Sequence, residues 1–509
     1  MILKPKHHRR LAYIFSLASA ITAGFITIIS MYAAPWQRQL HYSSWQINMI
    51  SSFANVGMYL TPPLHGIVAD IHGPITLVFI AILGFIPSYL YVAHAFTNPD
   101  IGASNAGFYW TLFCFVVIGL STTSLYFSSL LTCTKLYPKS KVLSISLPTT
   151  CFGLSSLIAS QFLRLHWFWD GAELLYADTM GPYLNLGRVF RAFALLNGVI
   201  GILMWMATST VSLITYREYM EREQQRKLRD TTTISFGDNQ TETSPLLESS
   251  PSSCDDNVNE NNNNLDSESS STTESESSET GTFSQDVGSK LQFLKQPVFY
   301  LFALSVLLSL GPLEMFIANM SSLAKVLLGP LSAAPAISSD LLSVYALSST
   351  MARLLAGFFS DYLTSKGRTL SNFLLSLVLL ALMTQLLIFK WTLSPVSPQT
   401  LLTTGLIFGV AYGGLFTVYP MIVMSVWGQR AFGTVFGFLM LSPALGSIIS
   451  CMQYASVYDT KCNVATAPQQ GPGSDCITPV YRATSIWMIC SFLLSVFVLR
   501  YWKGKGLNV

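Results

Sequence analysis

Long apolar stretches, separated by short polar segments, follow one another along most of this chain. We count twelve, each about 17 to 26 residues long, and a helix that rises about 1.5 Å per residue needs roughly 20 residues to cross a bilayer core about 30 Å thick. Because the bilayer core offers no water to the backbone, each stretch is predicted to be an α-helix. The predicted spans are 11–33, 45–68, 74–96, 109–131, 142–163, 189–214, 298–320, 341–360, 370–390, 401–424, 432–454 and 484–500.

A Gly-x-x-x-Asp motif occurs twice along the chain, each time at the end of an apolar stretch. It runs from Gly66 to Asp70 and again from Gly357 to Asp361, about 290 residues later, which is the size of a six-helix half. We therefore predict two similar halves, 1–216 and 296–509. Paired halves of this kind are typical of proteins that move solutes by alternating access.

The segment between the halves, 217–295, has a different composition. It begins with charged residues that can continue the sixth helix, and then consists mainly of Ser, Thr, Asn, Asp and Glu. Such a sequence buries too little apolar surface to offset its chain entropy. We predict a largely disordered tether.

Charged residues are too few for a soluble protein of this length. Only 11% of the residues are charged while 51% are hydrophobic, and an ordinary soluble domain has roughly 25% charged residues. We therefore predict an all-α membrane protein with twelve transmembrane helices in two six-helix halves. The net charge of +3 gives no reason to expect nucleic-acid binding.

The basic residues indicate which way the helices face. With twelve spans both ends lie on one side, and roughly 20 of the 29 Lys and Arg residues then fall on that side, against about 8 on the other. Because cytosolic loops are enriched in Lys and Arg, we predict that both termini and the central tether face the cytosol.

Two charged side chains fall inside predicted spans and away from the span ends. Glu314 follows the Gly311-Pro312 pair in the seventh span, and Arg353 lies in the eighth. A charged side chain at the bilayer centre costs about 2.5–3.5 kcal/mol on insertion scales, so each needs a partner or a wet cavity. Glu314 is suited to bind a proton or a cationic group, and Arg353 an anion. The alternatives are a structural Glu314–Arg353 ion pair, or a contact between Arg353 and Asp361.

Uncharged polar residues in the spans are further candidates to line a central cavity. Each can instead be a hydrogen-bond partner between helices, a role worth about 0.6 kcal/mol on average. They are Asn55, Asn319, Tyr345, Tyr412, Gln161 and Gln453. The spans contain no paired Asp, Ser/His or His-rich constellation, and the chain has no nucleotide-binding loop or metal-ligand spacing. We therefore expect neither an enzyme nor a cofactor or metal.

The loop after the second span resembles the signature loop of the major facilitator superfamily, Gly-x-Leu-Ala-Asp-Arg-x-Gly-Arg-Lys. Four residues match it: Gly66, Ala69, Asp70 and Gly73. Apolar residues replace its cations: Ile71, Pro74 and Ile75. The resemblance implies a cytosolic gate formed by Gly66, Asp70, Gly73, Gly357 and Asp361. Without the cations, helix N-termini or backbone amides are the expected donors to this gate.

Four further stretches resemble the fungal branch of the monocarboxylate-transporter homologues within this superfamily. They are 42–48, 131–138, 310–319 and 413–420, and they lie in both halves. The resemblance implies a transporter of the fungal vacuolar membrane that moves a small polar or anionic solute, with protons as a further partner.

Two departures argue against a standard lactate or pyruvate carrier. Those carriers have an acidic signature and a substrate-binding Lys in the first span, whereas 11–33 contains no charge. They also place an Asp one turn before the Arg of the eighth span, where this chain has Ser349 before Arg353. Together with the altered signature loop, these departures leave open a transport-inactive sensor or scaffold with the same fold.

Two features outside the spans concern location. Glu242, Leu246 and Leu247 resemble an acidic dileucine sorting signal, which implies recognition by a clathrin-type adaptor complex on the way to the vacuole. Cys462 and Cys476 fall in one polar loop between the last two spans. If that loop faces an oxidising lumen, a disulfide between them is plausible.

Overall fold

Helices make up most of the described chain, which confirms the predicted all-α membrane fold. A computed structural model describes residues 5–170, 183–237, 291–328, 334–367, 369–394, 396–462 and 475–506. Within these ranges, 11 helical segments are long and apolar enough to cross a membrane. The remaining predicted span, 45–68, is present as two shorter helices.

The first half contains nine helices and one two-stranded sheet among the described residues. The helices are α1 (Pro5–Ala23), α2 (Ala33–Gln39), α3 (Ser44–Leu60), α4 (Pro62–His72), α5 (Pro74–Thr97), α6 (Pro99–Gly102), α7 (Asn105–Leu136), α8 (Leu147–Phe162) and α9 (Leu186–Gly237). Short 3-10 or π segments are Gly24–Tyr32, Val142–Ser146 and His166–Phe168. Strand β1 (Trp169–Asp170) pairs antiparallel with β2 (Tyr183–Leu184), with Trp169 opposite Leu184.

The second half repeats the pattern with eight described helices. They are α10 (Pro297–Ala318), α11 (Met320–Leu328), α12 (Ala334–Ser365), α13 (Ser371–Trp391), α14 (Pro398–Trp427), α15 (Phe432–Leu439), α16 (Leu441–Val457) and α17 (Thr478–Gly504). Short 3-10 or π segments are Gln292–Lys295, Tyr458–Cys462 and Asp475–Ile477.

The second predicted span is interrupted at Thr61. Ser43 caps the start of α3 through a capping box with Gln46, and α3 ends at Leu60. Pro62 and Pro63 then lack the backbone N–H groups that would continue the helix, and α4 begins with them. The prediction of one continuous helix over 45–68 was therefore wrong.

The chain divides into two compact units, Met1–Val211 with Val287–Val509, and Ser212–Asp286. Of the second unit the structure describes the end of α9, which continues as a helix to Gly237. The rest of the predicted tether lies outside the described residues, and so do Glu242, Leu246 and Leu247 of the sorting motif.

Two apolar clusters form the core. One contains buried residues of the first half, including Trp36, Phe115 and Phe190. The other belongs mainly to the second half but also contains Phe127, whose ring stacks on that of Phe436 with 5.4 Å between centroids. The halves therefore share apolar core towards one end of the bundle. We call it the aspartate side, because Asp70 and Asp361 both lie there.

Candidate functional site

Arg353 lies on α12 where the second half meets the first. Its side chain is buried, with 9% exposure, and its Nη1 donates a hydrogen bond of 3.0 Å to the carbonyl oxygen of Thr149 on α8. Gly153, one turn further along α8, leaves room for the guanidinium, since a Cβ atom there would lie 3.4 Å from Cζ. The Arg353 carbonyl accepts a hydrogen bond of 2.5 Å from Ser146 Oγ. Arg353 thus binds the first half through its side chain and its backbone.

Tyr412 connects Arg353 with Glu314. Its hydroxyl donates a hydrogen bond of 2.8 Å to Glu314 Oε1, and its ring centroid lies 5.7 Å from Arg353 Cζ. Phe416, one turn later on α14, presents a second ring 5.8 Å from the same atom. A cation over an aromatic ring gains about 0.5–2 kcal/mol. Tyr412 therefore interacts with the anion through its hydroxyl and with the cation through its ring.

In the described part of the chain, neither Glu314 nor Arg353 has an opposite charge in direct contact. Among the described residues, the partner of Glu314 is Tyr412 and the side-chain partner of Arg353 is Thr149. The Nε atom of Arg353 is buried without a hydrogen-bond partner in this part of the chain. The guanidinium therefore keeps unused capacity to bind an acceptor such as a carboxylate or phosphate.

Several tyrosines complete the cluster. Tyr345 on α12 is buried, and its ring lies 5.6 Å from that of Tyr412. Its hydroxyl forms no well-made hydrogen bond with the described residues, although Ser349 is near it. From the first half, Tyr59 lies within electrostatic range of both Glu314 and Arg353, and Tyr126 within range of Arg353. Sequence reasoning missed these two, because an apolar stretch does not show which face of its helix meets the other half.

The other predicted cavity residues are placed less centrally. Asn319 follows the end of α10, where its Nδ2 donates a hydrogen bond of 2.9 Å to the Met315 carbonyl oxygen. Asn55 is exposed on α3, one turn before Tyr59. Gln161 is exposed near the end of α8, and the Oε1 of Gln453 is buried without a hydrogen-bond partner among the described residues. No group of three or more His, Cys, Asp or Glu side chains in the described ranges is arranged to hold a metal ion.

On the aspartate side, Asp70 caps a helix of the opposite half. Its Oδ2 accepts hydrogen bonds of 2.6 Å from the backbone N–H of Thr434 and 2.7 Å from Thr434 Oγ1. Thr434 is the third residue of α15, so the carboxylate binds an N–H group that the helix itself leaves free. Gly66 packs against the backbone of Gly433, and a Cβ atom at residue 66 would overlap its carbonyl group.

Asp361 of the second half makes the equivalent contact with the first half. It accepts hydrogen bonds from Ser140 Oγ at 2.8 Å, from the Lys141 N–H at 2.7 Å and from the Val142 N–H at 3.2 Å, at the start of the helical segment that leads into α8. Gly357 packs against Ser146 in the same contact. Burial lowers the pKa of the Lys141 ammonium, while the Asp361 carboxylate raises it by a smaller amount.

Two other predicted residues can be placed, Gly73 and Cys476. Gly73 joins α4 to α5 with a φ of 88°, a conformation that favours glycine, and no atom lies within 4 Å of the position of a Cβ there. Cys476 is disulfide-bonded. Its pairing with Cys462 stays a prediction, because the Cys462 side chain lies outside the described part of the structure.

Comparison with known proteins extends the resemblance over nearly the whole chain. Residues 14–451 match the Major Facilitator Superfamily. A Saccharomyces cerevisiae protein named "Probable transporter MCH1" is 47% identical, over 99% of this chain and 95% of that protein. The Eremothecium gossypii protein of the same name is 34% identical, over 97% and 93% of the two chains.

Solved structures show the same architecture. The proton:xylose symporter XylE, bound to 6-bromo-6-deoxy-D-glucose, aligns with a TM-score of 0.65 at 11% identity, over 98% of this chain and 96% of that one. FucP in the outward conformation aligns with a TM-score of 0.56 at 14% identity, over 96% and 99%. At such identities the likeness concerns the fold alone. With the family match and the close fungal relatives, it follows that this chain belongs to the major facilitator superfamily.

Proposed function

We propose that the chain is a secondary transporter that moves a small polar or anionic solute across a membrane by alternating access. The observation that carries this proposal is Arg353, a buried cation at the contact between the halves that is held by a neutral carbonyl oxygen. In transporters built from two repeats, solutes bind near the middle of the membrane between the halves. A buried cation in that place is suited to bind a solute anion.

Binding of an anion at Arg353 would weaken a contact between the halves. A carboxylate or phosphate is a stronger acceptor for a guanidinium than a neutral carbonyl oxygen is. A solute anion therefore competes with the Thr149 carbonyl for Nη1 and also supplies a partner for Nε. Since the Thr149 bond joins α8 to α12, its loss links solute binding to the relative movement of the halves.

Glu314 is the group on which we base proton coupling. The ionised carboxylate accepts the Tyr412 hydroxyl, whose ring lies beside Arg353. A proton on Glu314 removes the negative charge near the guanidinium and leaves Arg353 with greater attraction for a solute anion. In this proposal one proton and one anion bind together, so no net charge crosses the membrane for a monovalent solute.

The solute is proposed to differ from lactate and pyruvate. Ser349, one turn before Arg353, cannot serve as the carboxylate that standard carriers of these acids have in that place. The carboxylate here comes from α10 instead, and tyrosines surround the two charges. Aromatic rings with hydroxyl groups suit a solute with more polar groups or more carbon surface than a three-carbon acid.

The vacuolar membrane is the proposed location, with both termini in the cytosol. Support comes from the distribution of Lys and Arg and from the dileucine motif of Glu242, Leu246 and Leu247. In this proposal a clathrin-type adaptor complex binds that motif. Replacing both leucines with alanine is expected to redirect a fluorescent fusion protein away from the vacuole.

The test is untargeted metabolite analysis of purified yeast vacuoles. We expect one solute class to differ between cells with the protein and cells without it, and Glu314→Gln and Arg353→Gln to resemble the absence of the protein. Asp340→Asn, an exposed carboxylate on the same helix as Arg353, is the control and should behave as wild type. Unchanged solute pools, with the protein present in the vacuolar membrane under several nutrient conditions, would contradict transport and favour the sensor.

A further inference from the structure

An apolar groove runs along the outer surface of the second half, between α12, α13 and α14. Its volume is about 850 Å³. Small residues form its floor, among them Ala352, Ala356 and Gly414, and larger ones such as Leu355, Phe359 and Phe373 form its walls. Beneath the floor α12 and α14 approach closely, since Gly409 and Gly413 of α14 lie directly against the backbone of α12.

The groove faces outward from the bundle. Leu347, Met351 and Leu355 line it with exposures of 62%, 49% and 59%. All three belong to Asp340–Ser365, a segment that is long and apolar enough to cross a membrane. Apolar side chains that point outward from such a helix contact lipid. The molecules that can reach the groove from the side are therefore membrane lipids.

One end of the groove is polar and positively charged. Tyr362 lines the groove one residue after Asp361, and the Lys366 Nζ atom lies 4.7 Å from the centroid of its ring. Lys366 is exposed just beyond the end of α12, where lipid headgroups are expected. An exposed ammonium group at the end of an apolar, lipid-facing groove matches the charge and shape of an anionic lipid.

We propose that this groove binds an anionic glycerophospholipid, with one acyl chain between α12, α13 and α14 and the phosphate at Lys366. The site lies outside the proposed solute site and does not depend on it. Because the inner side of α12 carries Arg353 and Asp361, a lipid bound to its outer side contacts the helix that must move when the halves separate.

The test is photo-cross-linking of the purified full-length protein in phosphatidylcholine nanodiscs. A phosphatidylserine and a phosphatidylcholine that carry the same diazirine-labelled acyl chain are compared, and the labelled peptides are identified by mass spectrometry. We expect phosphatidylserine to label α12, α13 and α14 preferentially. Lys366→Glu should reduce that labelling at least about fivefold, because each basic side chain near a headgroup is worth about 1 kcal/mol.

Lys505→Glu is the matched control. The Lys505 Nζ atom also lies over a tyrosine ring at the end of a long helix, 4.9 Å from the centroid of Tyr501, but Tyr501 does not line this groove. Val410→Trp, which fills the groove, should abolish labelling by both lipids there. The proposal is overturned by labelling spread evenly over all lipid-facing helices, by equal labelling with the two lipids, or by displacement with millimolar inorganic phosphate. Because the readout is lipid binding, none of these results bears on transport.

Discussion

Glu314 and Arg353 lie among apolar helices without pairing with each other. The carboxylate accepts the Tyr412 hydroxyl and the guanidinium donates to the Thr149 carbonyl oxygen. A hydrogen bond to a charged group is worth about 1.5–3 kcal/mol, so these neutral partners reduce the cost of burial without consuming the charge. At the residue scale this arrangement supports the proposal that each group exchanges its partner for a solute or a proton.

Replacing Tyr412 with Phe tests the importance of that hydroxyl. The substitution keeps the ring beside Arg353 but leaves the half-buried carboxylate of Glu314 without its donor. We expect the free energy of unfolding to fall by about 1–3 kcal/mol, the usual cost of an unsatisfied polar group, and the melting temperature to fall with it. The effect should shrink at a pH low enough to protonate Glu314. Thermal unfolding in detergent is the measurement.

Tyr345→Phe is the control for that experiment. Tyr345 is buried beside Tyr412, but its hydroxyl makes no well-formed hydrogen bond among the described residues. Its removal should therefore change the melting temperature little. Equal losses in the two variants would mean that ring packing, rather than the bond to Glu314, stabilises the cluster.

The two charges could be identified from the sequence because a charge in an apolar stretch is conspicuous. Their partners could not. Thr149 contributes a backbone carbonyl, which every residue possesses, and Gly153 contributes only space. Tyr59 and Tyr126 belong to the site through the rotation of their helices, which depends on packing between helices rather than on local pattern.

At the element scale, an aspartate of each half caps a helix of the other. Asp70 binds the start of α15, and Asp361 binds the start of the segment that leads into α8. A carboxylate at a helix N-terminus is favourable by about 0.3–1 kcal/mol when exposed and by up to about 2 kcal/mol when partly buried. The described donors to these two carboxylates include backbone amides and hydroxyls, which bind a carboxylate without the basic residues that the signature loop has lost.

Asp361→Asn should weaken the contact between the halves on the aspartate side. Three groups donate hydrogen bonds to the Asp361 carboxylate, and the Asn side chain would direct its own N–H donors towards them. The Asn side chain also carries no negative charge to complement the helix N-terminus. We expect double electron–electron resonance between spin labels at Lys139 and Lys366 to show a larger population at the long distance. If the contact loses about 1.4 kcal/mol, the ratio of the long-distance to the short-distance population rises roughly tenfold. Asp340→Asn should leave the distribution unchanged, and a change of equal size there would contradict the capping role.

Gly66→Ala should have a similar effect for a steric reason. A Cβ atom at residue 66 would overlap the Gly433 carbonyl group, so α4 must move away from α15. The same pair of labels should again report longer distances. Gly504→Ala is the control, because no atom lies within 4 Å of the corresponding position. If Gly66→Ala leaves the short distances between the two labels unchanged, the close approach of α4 and α15 is not required for the halves to meet on the aspartate side.

The element pattern was largely readable from the sequence, since eleven of the predicted spans correspond to helical segments long enough to cross a membrane. The error lies at Thr61, where apolar content continues but Pro62 and Pro63 end the helix. A hydropathy scale reflects the transfer of each side chain from water to an apolar phase. It does not register that proline lacks the backbone N–H group that a continuous helix needs. The number of crossings at the scale of the whole molecule therefore depends on whether α3 and α4 together cross once.

Twelve crossings place both ends of the chain on one side of the membrane, whereas eleven place them on opposite sides. α3 and α4 together contain 28 residues, 17 and 11, which is longer than the roughly 20 that one crossing needs. We therefore expect protease added to intact vacuoles to remove epitope tags from both termini. A tag inserted at Ala103, between α6 and α7, should stay protected until the membrane is permeabilised. Removal of only one terminal tag would mean that α3 and α4 do not cross, and the two halves would then face opposite ways.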